Sequence, residues 1–139
     1  MAASTSFRLS DAARRRLTET ADRLGTSASA LLERLIHEGV DALEHPGITY
    51  RGPVHDRRAG VAGGPDVWEV VGRLQELRGP EERRIATLAE EIQVHARLVR
   101  VALDFAAANP DAVQEHIARN KEAAVASSAA AEGRAALLA

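Results

Sequence analysis

Three polar side chains near the start of the chain, those of Ser4, Ser6 and Arg8, are spaced so that they can act together. They alternate with Phe7 and Leu9, and side chains in an extended segment point alternately to opposite sides. One side of this segment is therefore apolar, whereas the other carries hydroxyl and guanidinium groups that donate hydrogen bonds. The pattern predicts a short strand with one side to bury and one side able to bind a polar surface.

The remaining reactive side chains do not assemble a catalytic site. The chain has no cysteine, which excludes thiolate chemistry and Cys-based zinc sites. His45, His55 and Asp56 are candidate metal ligands, but their spacing gathers no complete ligand set, and we interpret them as loop residues. The stretch GVAGGPD lacks the lysine and hydroxyl of a phosphate-binding P-loop. We therefore expect no catalytic residue, no metal and no cofactor, and a protein that is not an enzyme.

Two amphipathic helices follow the predicted strand. Ser10 is placed to cap the first, whose apolar positions recur at helical spacing, and Gly25 supplies a left-handed stop. Ser27 is placed to cap the second, which carries a broad apolar stripe. The stripe consists of Ala28, Leu31, Leu32, Leu35, Ile36 and Leu43. Such a stripe requires a covering surface.

A second copy of the chain is the expected cover. A segment of about 40 residues cannot bury enough apolar surface to fold alone without disulfides, a metal or a partner copy. A lone strand likewise needs a second strand for its backbone groups, and a two-fold dimer supplies one antiparallel to the first. We therefore predict an obligate homodimer, or a higher even oligomer. Its core is predicted to contain Phe7, Leu9, Leu31, Leu32, Leu35 and Ile36.

The stretches FRLS, DAARRRLTETADRLG, GTS and ASALLERLIHEGV resemble the ribbon-helix-helix family of DNA-binding proteins, which includes the Arc, MetJ and CopG repressors. The resemblance implies that a two-stranded ribbon enters a DNA groove. It implies that Ser4, Ser6 and Arg8 face base edges. It also implies that the backbone amides of Thr26, Ser27 and Ala28 hold a phosphate at a helix start. The alternative is a helical hairpin that dimerises without touching DNA.

The pattern changes after Glu44, where HPG breaks the second helix. ITYR alternates as a strand and RRAGVAG is its expected return, which together predict a small β-hairpin. Asp66 and Glu69 predict a capped helix start, with Trp68 in the core or at a subunit contact. Two more helices are predicted to follow in EERRIATLAEEI and QVHARLVRVALDFAAAN. An amphipathic segment then runs into an Ala-rich tail that can be helical or frayed.

Residues 45 to about 124 resemble a bacterial domain of unknown function of the VapB antitoxin type, in the stretches HPGITYRG, RRAGVAGGPDVWEVV and LAEEIQVHARLVRVALDFAAANPDAVQEHI. The resemblance implies a small hairpin followed by a winged-helix-like bundle, and a PIN-like toxin as partner. A helix-turn-helix pattern is also present, in the stretch TLAEEIQVHARLVRVALDF. Arg97 and Arg100 lie on its second helix, which is a possible second DNA-contact helix. Packing or dimerisation is the alternative role for that helix, and His95 is expected to cap it or to pack.

Composition agrees with a mainly α protein. Aromatic residues make up 3% of the 139 residues and charged residues 27%, and the formal net charge is −2. An acidic balance argues against indiscriminate coating of nucleic acid, but Arg8, Arg14, Arg15, Arg16 and Arg23 concentrate basic charge near the predicted ribbon. A solvated helix face is the alternative reading of Arg14 to Arg16. No export signal or membrane span is apparent, so we expect a cytoplasmic protein without a membrane partner.

These features predict three segments. Residues 1–44 form a ribbon-helix-helix module for DNA binding and dimerisation, residues 45–124 form the hairpin and winged-helix-like bundle, and residues 125–139 form a flexible or helical tail. The favoured function is a homodimeric, sequence-specific transcriptional repressor of the type II antitoxin kind. It would bind its own operator in double-stranded DNA and a PIN-like toxin. The alternatives are a stand-alone regulator without a toxin and an oligomerisation or scaffold protein that does not bind DNA.

Overall fold

The computed structural model describes residues 3–139, and it is mainly helical with one small antiparallel sheet. Met1 and Ala2, the first two residues of the predicted N-terminal module, lie outside the described residues. The described residues contain six helices and two strands. In chain order these are α1 (Asp11–Leu24), α2 (Ala28–Glu44), β1 (Ile48–Arg51), β2 (Arg58–Val61), α3 (Val67–Glu76), α4 (Glu81–Glu91), α5 (Ala96–Ala108) and α6 (Pro110–Leu138).

The first two helices begin and end where the sequence predicts. The Ser10 hydroxyl accepts a hydrogen bond from the Ala13 amide, and the Ser27 hydroxyl accepts one from the Ala30 amide, each at 3.1 Å. Such caps satisfy amides that have no acceptor within the helix. Gly25 ends α1 with φ of 70°, a conformation that glycine adopts without a steric penalty. Helix α1 packs on α2 alone among the described elements.

Residues 3–10 carry no regular secondary structure in the single chain. A strand is defined by hydrogen bonds to a neighbouring strand, and the predicted neighbour belongs to a second copy. The ribbon of residues 4–9 therefore stays a prediction.

The predicted hairpin is confirmed. Strands β1 and β2 pair antiparallel, with Ile48 opposite Val61 and Arg51 opposite Arg58. Ile48 and Val61 are buried against the helices, because both point to the same side of the hairpin. Asp66 and Glu69 form the predicted capping box at the start of α3.

Helices α3 to α6 and the hairpin share one apolar core. Val70, Ile85, Val99 and Ala102, from α3, α4 and α5, are completely buried. Helix α5 is central, since it packs against α3, α4, α6 and both strands. The turn before it contains no glycine, and Gln93 takes the left-handed conformation there with φ of 57°. That conformation costs a non-glycine residue about 1–2 kcal/mol.

Helix α6 extends well beyond the residues that pack against the rest of the chain. Val113 and Ile117 bury its first turns against α3 and α5, but every residue from 118 to 139 is exposed. The Ala-rich tail, which could have been helical or frayed, is helical as far as Leu138. Among the described residues, no helix combines the length and apolar character needed to cross a bilayer.

Candidate nucleic-acid interface

Arg8 lies on an exposed segment next to the start of α1. It lines one shallow depression together with Ser6, Asp11 and Arg14. The Arg14 guanidinium donates a hydrogen bond to the Asp11 carboxylate at 2.9 Å, whereas Arg8 has no ion pair or hydrogen bond among the described residues. Ser4 and Ser6 are also exposed. The three predicted base-contacting side chains are therefore free to meet another molecule.

The backbone amides at the start of α2 are the predicted phosphate contacts, and they differ in whether they are already bonded. The Thr26 amide donates to the Ala21 carbonyl at 3.0 Å as part of the turn that ends α1. This amide is thus bonded within the single chain, and the phosphate contact expected of Thr26 stays a prediction. The Ser27 and Ala28 amides have no acceptor among the described residues, and neither has the Ser29 amide. Sequence reasoning missed Ser29, whose amide stays free because the Ser27 hydroxyl accepts from the Ala30 amide instead.

The predicted dimer core has unequal exposure in the single chain. Phe7 is 84% exposed, Leu35 49% and Ile36 53%, which is unusual for large apolar side chains. Leu9 is 38% exposed and Leu32 is half-buried. Leu31 differs, because it is only 2% exposed within one chain and therefore needs no second copy to cover it.

An apolar cleft of about 310 Å³ lies between the N-terminal segment, α1 and α2. It is continuous with the exposed part of α2, because Leu32 and Leu35 line the cleft and also belong to the stripe. Val40 and Leu43 extend the exposed apolar surface toward the end of the helix, at 44% and 81% exposure. Sequence reasoning did not place Val40 in the dimer core, although it lies four residues after Ile36.

The arginines near the N terminus and those of the hairpin differ in their contacts. Arg15, Arg16 and Arg23 on α1 are exposed and, like Arg8, have no ion pair among the described residues. The hairpin arginines are instead bound within the chain. Arg51 donates to the Gly64 and Val61 carbonyls at 2.7 and 2.9 Å. These bonds leave basic surface free near the N terminus rather than on the hairpin.

Asp66 organises the remaining hairpin charge. It is 6% exposed and accepts hydrogen bonds from the Arg58 guanidinium at 2.7 Å and from the Trp68 indole at 3.2 Å. Its carboxylate raises the pKa of Arg58 above the ordinary value. A buried carboxylate requires such partners, so Arg58 has a structural role.

Arg97 and Arg100 lie on α5 and differ in their contacts. Arg100 forms an ion pair with Glu82 on α4 at 2.7 Å, and this contact lowers the pKa of Glu82. Arg97 is exposed and has no ion pair among the described residues. Helix α5 also packs against α3, α6 and both strands, and its role as a second DNA-contact helix stays a prediction.

Polar contacts join α2 to the hairpin. The Tyr50 hydroxyl donates to the Asp41 carboxylate at 2.6 Å, and the Arg57 guanidinium donates to Glu38 with an Nε–Oε2 distance of 3.1 Å. Burial and the bond to Asp41 raise the pKa of the Tyr50 hydroxyl well above its ordinary value. These contacts occupy one side of α2 and fix the hairpin there, leaving the apolar stripe on the other side uncovered.

Three of the five histidines cap a helix or contact an aromatic ring. His95 caps α5 by accepting a hydrogen bond from the Arg97 amide at 3.0 Å, as expected for one of its two predicted roles. His45 meets the Phe105 ring edge-on at 5.4 Å between centroids, and His116 stacks on Trp68 at 6.4 Å. In residues 3–139, no group of three or more His, Asp or Glu side chains is arranged to hold a metal ion.

No family model matches the chain, and no curated protein or solved structure is significantly similar to it.

Proposed function

We propose that the chain is a homodimeric, sequence-specific DNA-binding transcriptional repressor of the type II antitoxin kind. Its N-terminal module would be a ribbon-helix-helix unit, and the hairpin with α3 to α6 would form a winged-helix-like body. The observation that carries the proposal is the free Arg8 on a segment whose neighbours Phe7 and Leu9 are apolar and uncovered. A repressor acting on its own promoter would work in the cytoplasm.

Exposed apolar side chains support the dimer. Burying a large apolar side chain contributes about 1.5–3 kcal/mol, so the exposed stripe of α2 favours association with an apolar partner. A second copy would also supply the strand that residues 4–9 need for their backbone hydrogen bonds. In the resulting ribbon, Phe7 and Leu9 would face the helices, and Arg8 would point away from them.

The distribution of charge supports DNA as the ligand. Residues 3–27 contain five arginines and three acidic residues, although the whole chain has a net charge of −2. Two copies would carry ten arginines in these segments, and those that stay exposed in the dimer can attract phosphates. Arg8 can also form a bidentate hydrogen bond with guanine, which discriminates between bases by about 1–3 kcal/mol.

The start of α2 supports a phosphate contact at the edge of the same surface. The free amides of Ser27, Ala28 and Ser29 lie at the positive end of a 17-residue helix. Backbone amides and the helix dipole together favour an anion at such a position. Contacts of this kind fix the position of a protein on DNA, while the ribbon side chains select the sequence.

The exposed part of α6 supports a protein partner. Residues 118–138 form an uncovered helical arm that adds nothing to the core of its own chain. An exposed helix can bind another protein by occupying a groove on its surface. A PIN-like toxin is the partner that the antitoxin proposal requires, and a neighbouring gene for such a protein would separate an antitoxin from a stand-alone repressor.

A mobility-shift experiment tests DNA binding against the scaffold alternative. The DNA is a duplex from immediately upstream of the gene, and the control is a duplex of the same length and base composition in shuffled order. We expect binding to the upstream duplex at protein concentrations at least about tenfold lower than to the shuffled one, because specific binding exceeds non-specific binding. Equal binding to both, or binding to neither, would contradict a sequence-specific repressor.

A further inference from the structure

The middle of α2 contains a glycine with no neighbour in its own chain. Gly39 lies well inside a 17-residue helix, and a Cβ added there would meet nothing within 4 Å. Glycine in a helix interior is roughly fivefold less favourable than alanine in the folding equilibrium. The packing of the single chain therefore offers no steric reason for the absence of a side chain at this position.

Another glycine in a helix interior lies beside a second helix. Gly72 lies in α3, where a Cβ would make an ordinary van der Waals contact with the Ile117 side chain on α6, at 3.9 Å. Gly39 also lies in a helix interior, but no second helix lies over it in the described residues.

The surroundings of Gly39 are apolar on both sides along the helix. Residues three and four positions apart are neighbours on a helix surface. The neighbours of Gly39 are therefore Leu35, Ile36, Ala42 and Leu43, all of which are exposed. Gly39 thus forms a notch between larger apolar side chains, with no charged group beside it on the stripe.

The opposite side of α2 is already occupied. Arg34, Glu38 and Asp41 recur at helical spacing and face the hairpin, where Arg57 and Tyr50 bind Glu38 and Asp41. Because the rest of the chain is attached to that side, it does not cover the notch. The covering surface must come from another molecule.

We propose that α2 of a second copy crosses α2 at Gly39, so that the two glycines face each other on the two-fold axis. This inference rests on the proposed homodimer and names the point of closest approach within it. A two-fold interface uses the same surface on both copies, which suits a stripe with no charge to complement. The exposed side chains of Phe7, Leu35, Ile36, Val40 and Leu43 amount to several hundred Å², comparable with the roughly 800 Å² that each partner buries in a standard interface.

Two glycine-to-alanine variants test the proposed crossing, one at the proposed contact and one at an exposed position. Gly39→Ala should weaken dimerisation at least about tenfold, because a methyl group would separate two closely packed backbones. Gly133→Ala is the matched control, since Gly133 also lies in an exposed helix and a Cβ there would meet nothing within 4 Å. It should leave dimerisation within about twofold of the parent. The measurement is sedimentation velocity over a dilution series.

Cross-linking provides a second test that does not depend on the stability of the alanine variant. The chain has no cysteine, so Gly39→Cys and Gly133→Cys each introduce a single thiol. A disulfide requires Cα atoms within about 7 Å, and the proposed crossing brings the two residues at position 39 that close. Mild oxidation should convert the Gly39→Cys protein to a covalent dimer and leave the Gly133→Cys protein largely uncross-linked.

The outcomes separate this inference from the proposed function. A dimeric parent whose Gly39→Ala variant dimerises as tightly or more tightly would overturn the crossing at Gly39 but leave the repressor proposal intact. So would a dimeric parent whose Gly39→Cys variant fails to cross-link, because another surface or another protein would then cover the stripe. A parent that is monomeric at micromolar concentration would overturn both proposals.

Discussion

Arg8 and Arg100 are both exposed arginines, but their surroundings differ. Arg100 forms an ion pair with Glu82 on the neighbouring helix, whereas Arg8 has no ion pair among the described residues. A free guanidinium on a segment with two apolar neighbours is suited to bind a ligand. A guanidinium bound between two helices is suited to hold them together.

Arg8→Ala should weaken binding to the upstream DNA by about tenfold or more for each contacted half-site, because a bidentate contact with guanine is lost. The melting temperature should change little, since an exposed side chain without partners contributes little to stability. Fluorescence anisotropy over a series of salt concentrations measures the affinity. Arg8→Lys should restore attraction to phosphate but not the full preference for the upstream sequence.

Arg100→Ala is the matched control for Arg8→Ala. It removes the same charge, so a general electrostatic effect would lower the affinity equally in both variants. We expect the affinity of Arg100→Ala for the upstream DNA to stay within about twofold of the parent. If Arg100→Ala loses more DNA affinity than Arg8→Ala, DNA binds at α5 rather than at the ribbon.

Two ion pairs between helices predict sensitivity to acid. Arg100 and Arg73 lower the pKa values of Glu82 and Glu91 through direct hydrogen bonds. A carboxylate whose pKa is lowered by folding stabilises the protein above its unfolded pKa, and this contribution disappears as the pH falls through the lowered pKa. The double variant Glu82→Gln with Glu91→Gln should therefore melt slightly below the parent at neutral pH, by a small amount because both ion pairs are exposed to solvent.

The difference between the double variant and the parent should disappear as the pH falls through the lowered pKa values of the two carboxylates, because both are then protonated in the parent as well. Glu90→Gln is the control, because Glu90 lies on the same helix without an ion pair among the described residues. Thermal unfolding followed by circular dichroism measures all three proteins. A melting difference that is independent of pH would show that the two ion pairs do not act through charge.

At the scale of elements, α2 connects the proposed DNA-binding module to the body of the chain. One side packs on α1, a second side binds the hairpin through Asp41 and Glu38, and a third side is the exposed apolar stripe. The helix is therefore held within its own chain on two sides. In the proposed dimer, the third side is the one that contacts the second chain.

Leu35→Asp should abolish the dimer at micromolar concentration, because it would bury an unpaired carboxylate at the interface. We also expect the N-terminal module to lose helicity, since its stability is predicted to depend on the second copy. Val125→Asp is the control, because Val125 is 70% exposed on the uncovered part of α6. Sedimentation and circular dichroism that show a fully helical dimer for Leu35→Asp would exclude this surface as the dimer interface.

Removal of residues 125–139 should leave both the melting temperature and the DNA affinity nearly unchanged. This part of α6 is entirely exposed and contributes no residue to the core. Circular dichroism should show only the loss of signal from the removed helix. If the truncated protein folds normally but no longer binds DNA, the arm belongs to the DNA-binding surface rather than to a partner-binding one.

At the scale of the whole molecule, the sequence predicted those features that depend on nearby residues. These features follow from residues within a few positions of each other. They are the caps at Ser10, Ser27 and Asp66, the stop at Gly25 and the boundaries of the hairpin. These signals act through local backbone conformation and hydrogen bonding. They are therefore readable without knowledge of tertiary packing.

Contacts between distant segments could not be predicted from the sequence in the same way. Two of these contacts depend on how the hairpin folds back on the helices. They are the hydrogen bond from Tyr50 to Asp41 and the bond from Arg58 to Asp66. The burial of Leu31 within one chain depends on the packing of α1 on α2. The left-handed Gln93 has no local signal, because the sequence offers no glycine at that turn.

The central claim is that two copies of the chain together bind one DNA site. Sedimentation velocity with a fluorescently labelled duplex from upstream of the gene tests it most directly, because one experiment reports both the free protein and the complex. We predict that the free protein sediments as a dimer or a higher even oligomer, and that each bound duplex carries an even number of chains. A single chain bound to the duplex, or no complex with a protein that is dimeric, would contradict the claim.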